Sequence, residues 1–184
     1  DPNDPNDNLW AVTNYEYYDT GYKKGLVKSL TDPEGFVTLT EYDENGYKTQ
    51  VRKGNDPNNT EIVQRYCYDA IGQLVLEANP LGGVTRYDYD GFGRLYRTRK
   101  YEDLAVMSRT AEQFDPNQYN STQVMAESWF GYDEQSFKTF EKLETDGEID
   151  TTYTYNGLPI RKTFDDGSYV EFSYDSRSNK THEY

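Results

Sequence analysis

A Tyr-Asp pair recurs along this chain at intervals that point to a repetitive fold. It stands at Tyr18-Asp19, Tyr42-Asp43, Tyr68-Asp69, Tyr89-Asp90, Tyr132-Asp133 and Tyr174-Asp175, with Tyr155-Asn156 as a variant. Successive Asp or Asn positions differ by 24, 26, 21, 43, 23 and 19. The 43 is close to twice the others, so one copy is degenerate or replaced between residues 100 and 127. Self-similarity at a period of this size governs the architecture before any local preference does.

One copy reads as a hairpin. In the clearest, Thr85, Tyr87 and Tyr89 alternate with Arg86, Asp88 and Asp90, the period of two that puts one set on each face of a sheet. β-branched and aromatic residues at such positions suit a pleated, half-buried surface. The Asp then opens a turn, because its side chain can accept from the backbone two residues on, and a Gly closes it with a positive φ. Gly46, Gly72 and Gly93 fit that role, Gly21 fits it at a shortened spacing, and Gly157 follows the variant pair. A second strand such as Leu74-Val75-Leu76-Glu77-Ala78 comes next, then a return turn. Asp32-Pro33-Glu34-Gly35 and Asn79-Pro80-Leu81-Gly82 are the clear return turns, and Asp146-Gly147 and Asp165-Asp166-Gly167 are plainer ones.

The sequence therefore predicts an all-β chain: a continuous antiparallel meander of roughly a dozen strands, almost without helix. An open sheet of about that number must curl or split. Residues 1–12 read as an extended Asp/Asn/Pro-rich lead-in, 13–100 as repeats, 101–127 as an insertion or degenerate repeat, and 128–184 as repeats that end mid-copy. Leu104-Ala105-Val106-Met107 with Thr110-Ala111-Glu112-Gln113 could make a short helix inside a loop wrapped over a sheet face, and residues 54–59 read as a lengthened turn. No leader precedes Asp1, and the copy opening at Tyr174 breaks off in its second strand, so a piece of a longer protein is expected.

Composition removes several functions. The chain has 33 Asp+Glu against 19 Lys+Arg, a net charge of −14, and no basic stripe, which argues against nucleic acid and anionic membranes as partners. No apolar run is long enough to span a bilayer as a helix. Hydrophobic residues are only 34%, yet 16% are aromatic and 19 are Tyr, whereas acidic disordered chains are poor in aromatics. A folded protein whose apolar surface comes mainly from phenol rings is the reading that fits. One histidine, His182, and one cysteine, Cys67, exclude a disulfide framework, a Cys/His zinc site and a histidine-based triad.

No catalytic, cofactor-binding or metal residue is expected. The carboxylates after each Tyr already have a turn to form, which leaves no converging pair for acid-base hydrolysis. Asp1, Asn3, Asp4, Asn6, Asp7 and Asn8 offer oxygens to calcium, as do Asp56, Asn58 and Asn59, but without the spacing of a closed loop. Trp10 and Trp129 could stack on sugar rings; cross-strand ladders of Tyr are the competing use of the aromatics.

The pattern of Tyr-Asp-x-x-Gly copies in register, with Pro-x-Gly between them, resembles the YD repeat, also called the RHS repeat. That family includes bacterial RHS and wall-associated proteins, the B and C components of insecticidal toxin complexes, and teneurin ectodomains. The resemblance covers about residues 13 to 100 and 128 to 184. It implies a sheet that spirals into a hollow shell, acting as container or scaffold rather than catalyst. The aspartyl autoprotease core and variable tail that close many toxin shells are not visible in this sequence. Asp32-Pro33-Glu34-Gly35 superficially resembles the Asp-Pro-x-Gly of such a core, but lies where a return turn belongs.

The function expected is structural and non-enzymatic: a secreted or surface segment forming the wall of a β-shell around a toxin, or an extracellular assembly or filament. The alternative is adhesion or carbohydrate binding through a sheet face or the 101–127 insertion. Partners would be the rest of a longer chain, or further copies meeting at open sheet edges, with an enclosed toxin or a surface glycan as possible ligands. The residues carrying the structural role are Tyr18, Asp19, Gly21, Tyr42, Asp43, Gly46, Tyr68, Asp69, Gly72, Tyr89, Asp90, Gly93, Tyr132, Asp133, Tyr155, Gly157, Tyr174 and Asp175.

Overall fold

Alternating β-branched and aromatic residues, cut every few positions by Asp, Asn and Gly, fold this chain almost wholly into strands. The structure, a computed structural model, describes residues 11–120, 123–143 and 147–184. Trp10, the Asp/Asn-rich residues 1–8 and Asp146 lie outside the described residues.

The strands are β1 (Asn14–Tyr17), β2 (Val27–Thr31), β3 (Val37–Tyr42), β4 (Lys48–Asp56), β5 (Asn59–Tyr68), β6 (Leu74–Ala78) and β7 (Gly83–Tyr89). They continue as β8 (Leu95–Glu102), β9 (Ala126–Tyr132), β10 (Lys138–Leu143), β11 (Gly147–Tyr153), β12 (Pro159–Phe164), β13 (Tyr169–Tyr174) and β14 (Lys180–Glu183). All fourteen belong to one open antiparallel sheet in which each strand bonds to its neighbour in the chain. That order follows from connections too short for anything but hairpins.

By contacts the chain divides into two units, residues 11–84 with 102–120, and residues 85–101 with 123–143 and 147–184. Among the described residues the first holds most of the buried apolar side chains: Val37, Val51, Leu76, Ala78, Val84, Val106, Phe114 and Tyr119. The second buries Tyr101, and its other buried residues are Arg99, Ser128 and Thr151. Its strands are held by their ladders and by polar and aromatic cross-strand pairs more than by an apolar core. The outermost strands of the sheet order, β1 and β14, are exposed at every residue.

The 101–127 region departs from the helix expected within it. Short 3-10 turns form at Val106–Ser108 and Pro116–Asn120, while residues 110–113 make only a turn. Pro116 cannot donate a helical bond and suits only a first turn. Residues 103–120 instead form a strap tied to its own unit by polar bonds. Asp103 N donates to Gly82 O at 2.7 Å. Asp103 Oδ2 accepts from Arg109 Nε at 2.8 Å and from the Tyr119 hydroxyl at 2.9 Å. Arg65 on β5 donates from Nη1 to Val106 O at 2.9 Å and Arg109 O at 2.6 Å. Nor are residues 54–59 a lengthened turn: Asp56 pairs with Asn59 across the two-residue link Pro57-Asn58, and β4 and β5 are the longest strands at 9 and 10 residues.

Candidate functional site

Four copies of the repeat converge on a turn built the same way. At Asp43, Gly46 N donates to Asp43 O at 3.1 Å, and Asp43 N donates to Tyr47 O at 2.9 Å. The side chain adds two more bonds, Asp43 Oδ1 accepting from Asn45 N and Tyr47 N, both at 2.9 Å. Asp69, Asp90 and Asp175 repeat the arrangement. So does Asn79 in a return turn, with Leu81 N at 3.0 Å and Gly83 N at 3.1 Å. One acceptor oxygen thus holds two N–H groups that a tight corner would leave open. Bonds from Arg94 and Phe92 keep the Asp90 carboxyl below the usual range, and those from Asn179 and Arg177 do the same for Asp175.

The fourth turn residue adopts a positive φ, 84° at Gly46 and 80° at Gly93. Two copies place serine there instead, Ser136 at 70° and Ser178 at 67°. The first copy is wider than the shortened hairpin expected of it: Gly25 N donates to Tyr18 O at 2.9 Å, so Gly25 rather than Gly21 closes it.

The tyrosine before the turn reaches sideways. The Tyr42 hydroxyl donates to Val27 O at 3.0 Å, Tyr132 to Leu95 O at 2.7 Å, and Tyr174 to Pro159 O at 2.8 Å. Each acceptor is the first residue of the preceding strand, two positions after the residue that closed the previous corner. The pairing of the two strands stops two residues short of that carbonyl, at Ser29 with Leu39, Arg97 with Trp129 and Arg161 with Glu171, and the phenol bonds it there. Tyr18 instead donates to Thr40 O at 3.1 Å.

In the remaining copy the latch is Tyr153, which donates to Lys138 O at 2.6 Å. Its turn runs Thr154-Tyr155-Asn156-Gly157: Gly157 N donates to Thr154 O, and Thr154 Oγ1 accepts from Leu158 N. Tyr155 is therefore a corner residue, 98% exposed, and the Tyr155-Asn156 pair is not the counterpart of the other Tyr-Asp pairs. With Thr154 in the Asp place, the steps from 133 to 154 and from 154 to 175 both become 21. That even spacing was the signal in the sequence for the correct pair.

At four corners the residue that follows packs toward the next one. Tyr47 stacks on Tyr68 with ring centroids 5.0 Å apart, and its phenol occupies the space a Cβ on Gly72 would need. Phe137 stacks on Tyr153 at 5.4 Å and covers Gly157 in the same way. Leu26 lies where a Cβ on Gly46 would meet it. Arg94 donates to Asp133 O at 2.9 Å and lies 4.9 Å from the Tyr132 ring centroid. Tyr89, at the end of β7, leads into the Asp90 corner by the same route.

A charged cluster on β7, β8 and β9 has no counterpart among the sequence expectations. Asp88 accepts from Arg86, Arg97 and Arg99 at 3.0 Å each. Arg97 also lies 4.8 Å from the Trp129 ring, and Trp129 donates to Glu127. Burial alone would raise the Asp88 carboxyl, but the Arg97 bond and the charges of Arg99 and Arg86 outweigh it and hold the acid low. Trp129 is thus engaged by protein groups. Cys67 is half-buried on β5, and burial followed by the charge of Asp115 pushes its thiol up, away from nucleophilic character. His182 stacks on Tyr184 at 5.6 Å. Among the described residues no group of His, Cys, Asp or Glu could hold a metal ion.

A family model described as RHS Repeat matches residues 68–103. This stretch is similar to an RHS repeat. It runs from the Tyr68 corner through the Asp90 corner to the root of the strap, so it takes in two of the Asp-headed corners. No curated protein matches the chain. Among solved structures the Photorhabdus luminescens Tc holotoxin pore is similar, with a TM-score of 0.68 and 17% identity over 93% of this chain and 9% of that one. TcdB2-TccC3-TEV is similar at 0.70 and 16% over 94% and 9%, and TcdB2-TccC3 at 0.69 and 17% over 94% and 9%. At such identities the likeness is one of fold, and this chain spans about a tenth of their length.

Proposed function

We propose that this chain is a non-enzymatic stretch of the wall of an RHS β-shell, secreted or exposed at a cell surface, of the kind that encloses a toxic cargo. The observation that carries the reading is the latch. In β3, β9, β11 and β13 the tyrosine beside the corner bonds the first carbonyl of the preceding strand. Each hairpin is thereby fastened to its neighbour by a device that needs no core beneath it. A sheet made this way can be extended by adding hairpins, since the next copy supplies its own fastener. Among the described residues the exposed outer strands β1 and β14 each pair on one side only, and natural sheets cover such edges. More wall on either side would cover them. The fold likeness to Tc toxin proteins over nine-tenths of the chain supports the same role.

Electron microscopy of the complete gene product tests this. A hollow body with a segment resistant to protease until the wall is denatured is the expected result. A solid globule, or a filament of many copies with every segment cleaved at once, would overturn it.

A further inference from the structure

A pocket under the strap plays no part in the latch. It encloses about 250 Å³ between β4, β5 and the strap, and Gln50, Arg65, Tyr66, Cys67, Ala111 and Phe114 are among its lining residues. Arg65 is only 5% exposed. Its Nη1 serves the two strap carbonyls and its guanidinium carbon lies 5.2 Å from the Phe114 ring centroid, while Nε and Nη2 make no hydrogen bond to any described residue. No carboxylate among the described residues pairs with it; Asp43, also on the wall, commits Oδ1 to the corner N–H groups of Asn45 and Tyr47. Anchoring the strap accounts for one nitrogen of the guanidinium. Two further donors and a full positive charge stand in a low-dielectric space, where buried cations are ordinarily paired.

We infer that this pocket binds a small planar carboxylate, its two oxygens taken by Nε and Nη2 of Arg65 and its apolar body set against Phe114. Side-by-side donors in a fixed plane match the geometry of a carboxylate, and the charge makes those bonds stronger than neutral ones. The space admits a single-ring acid and little more. The inference is independent of the shell reading, since it rests on the strap and on β4 and β5 alone.

Cys67 lines the pocket and is the only cysteine in the chain, so its alkylation by N-ethylmaleimide reports occupancy. Benzoate should slow the reaction saturably, with half-protection at a concentration about tenfold below that needed by benzamide, which has the shape without the charge. Arg65→Gln should abolish the difference. Because Arg65 also anchors the strap, Ala111→Trp is the second variant: it fills the space from an exposed strap position and should remove protection while Arg65 and the circular dichroism stay unchanged. Equal protection by benzoate and benzamide, no protection by benzoate, or undiminished protection in the Ala111→Trp variant would each overturn the proposal.

Discussion

Ser136 and Ser178 sit where the other corners carry glycine, in a backbone region that L side chains enter at a cost. Ser136 N still donates to Asp133 O at 3.0 Å, so the corner forms in spite of its residue. Ser136→Gly removes the conformational penalty and should raise stability by about 1 kcal/mol. A thermal melt checks it, and an unchanged or lower Tm would refute the strain. The two tyrosines of the Thr154 corner make a sharper pair. Tyr153→Phe deletes a hydroxyl bonded to Lys138 O and leaves that carbonyl short of a donor, a loss of about 1 kcal/mol. Tyr155→Phe removes a hydroxyl from a side chain that is 98% exposed and should change nothing measurable. Equal effects of the two in urea denaturation would contradict the register described for this copy.

Hairpins were readable from sequence because everything that specifies them is local. Thr85, Tyr87 and Tyr89 alternate, and β7 forms over them. Asp32-Pro33-Glu34-Gly35 reads as a corner and is one, with Gly35 at φ 87° and Gly35 N donating to Asp32 O. What could not be read is whatever depends on a neighbour. Tyr153 and Tyr155 both fit the alternation; the even 21-residue spacing favours Tyr153, and the carbonyl offered by the preceding strand makes it the latch. The strap had no period to betray it. It is fixed by single polar bonds between residues 41 and 44 positions apart, Arg65 to Val106 and to Arg109. Asp103 gathers Arg109 and Tyr119 at its other end. Asp103→Asn should weaken both charge-assisted bonds and cost the strap about 2 kcal/mol. Limited proteolysis is the measurement: cleavage within residues 104–120 should become faster in the variant while β-sheet circular dichroism stays as it was. Cleavage rates equal to the parent's would show that the strap stands without Asp103.

With a net charge of −14, the folded protein must place its 19 basic side chains to good effect. Three of them surround Asp88, whose side chain is 10% exposed, as is that of Arg99. Losing the carboxylate would leave Arg86, Arg97 and Arg99 facing one another across β7 and β8 with Glu127 as the nearest remaining acid on β9. Asp88→Asn should therefore cost about 3 kcal/mol at neutral pH, since removing one member of a buried charge cluster strands the others. The same site sets a pH dependence whose sign is fixed by its lowered carboxyl. An acid held lower in the folded state than in the unfolded chain, where Asp titrates near about 3.9, binds its proton more readily unfolded. Its stabilisation is complete above that value and disappears as the pH falls through the lower folded one. Other carboxylates, such as Asp90 and Asp175, share the trend, so the parent's own acid transition cannot isolate Asp88. The difference between parent and Asp88→Asn can. It should be large and flat from pH 7 to about pH 5 and narrow steadily below about pH 4, because protonation gives the parent the same neutral side chain. A gap that stayed constant to pH 2.5 in chemical denaturation would mean that Asn fails through shape, and that the charge of Asp88 is not what holds the three arginines together.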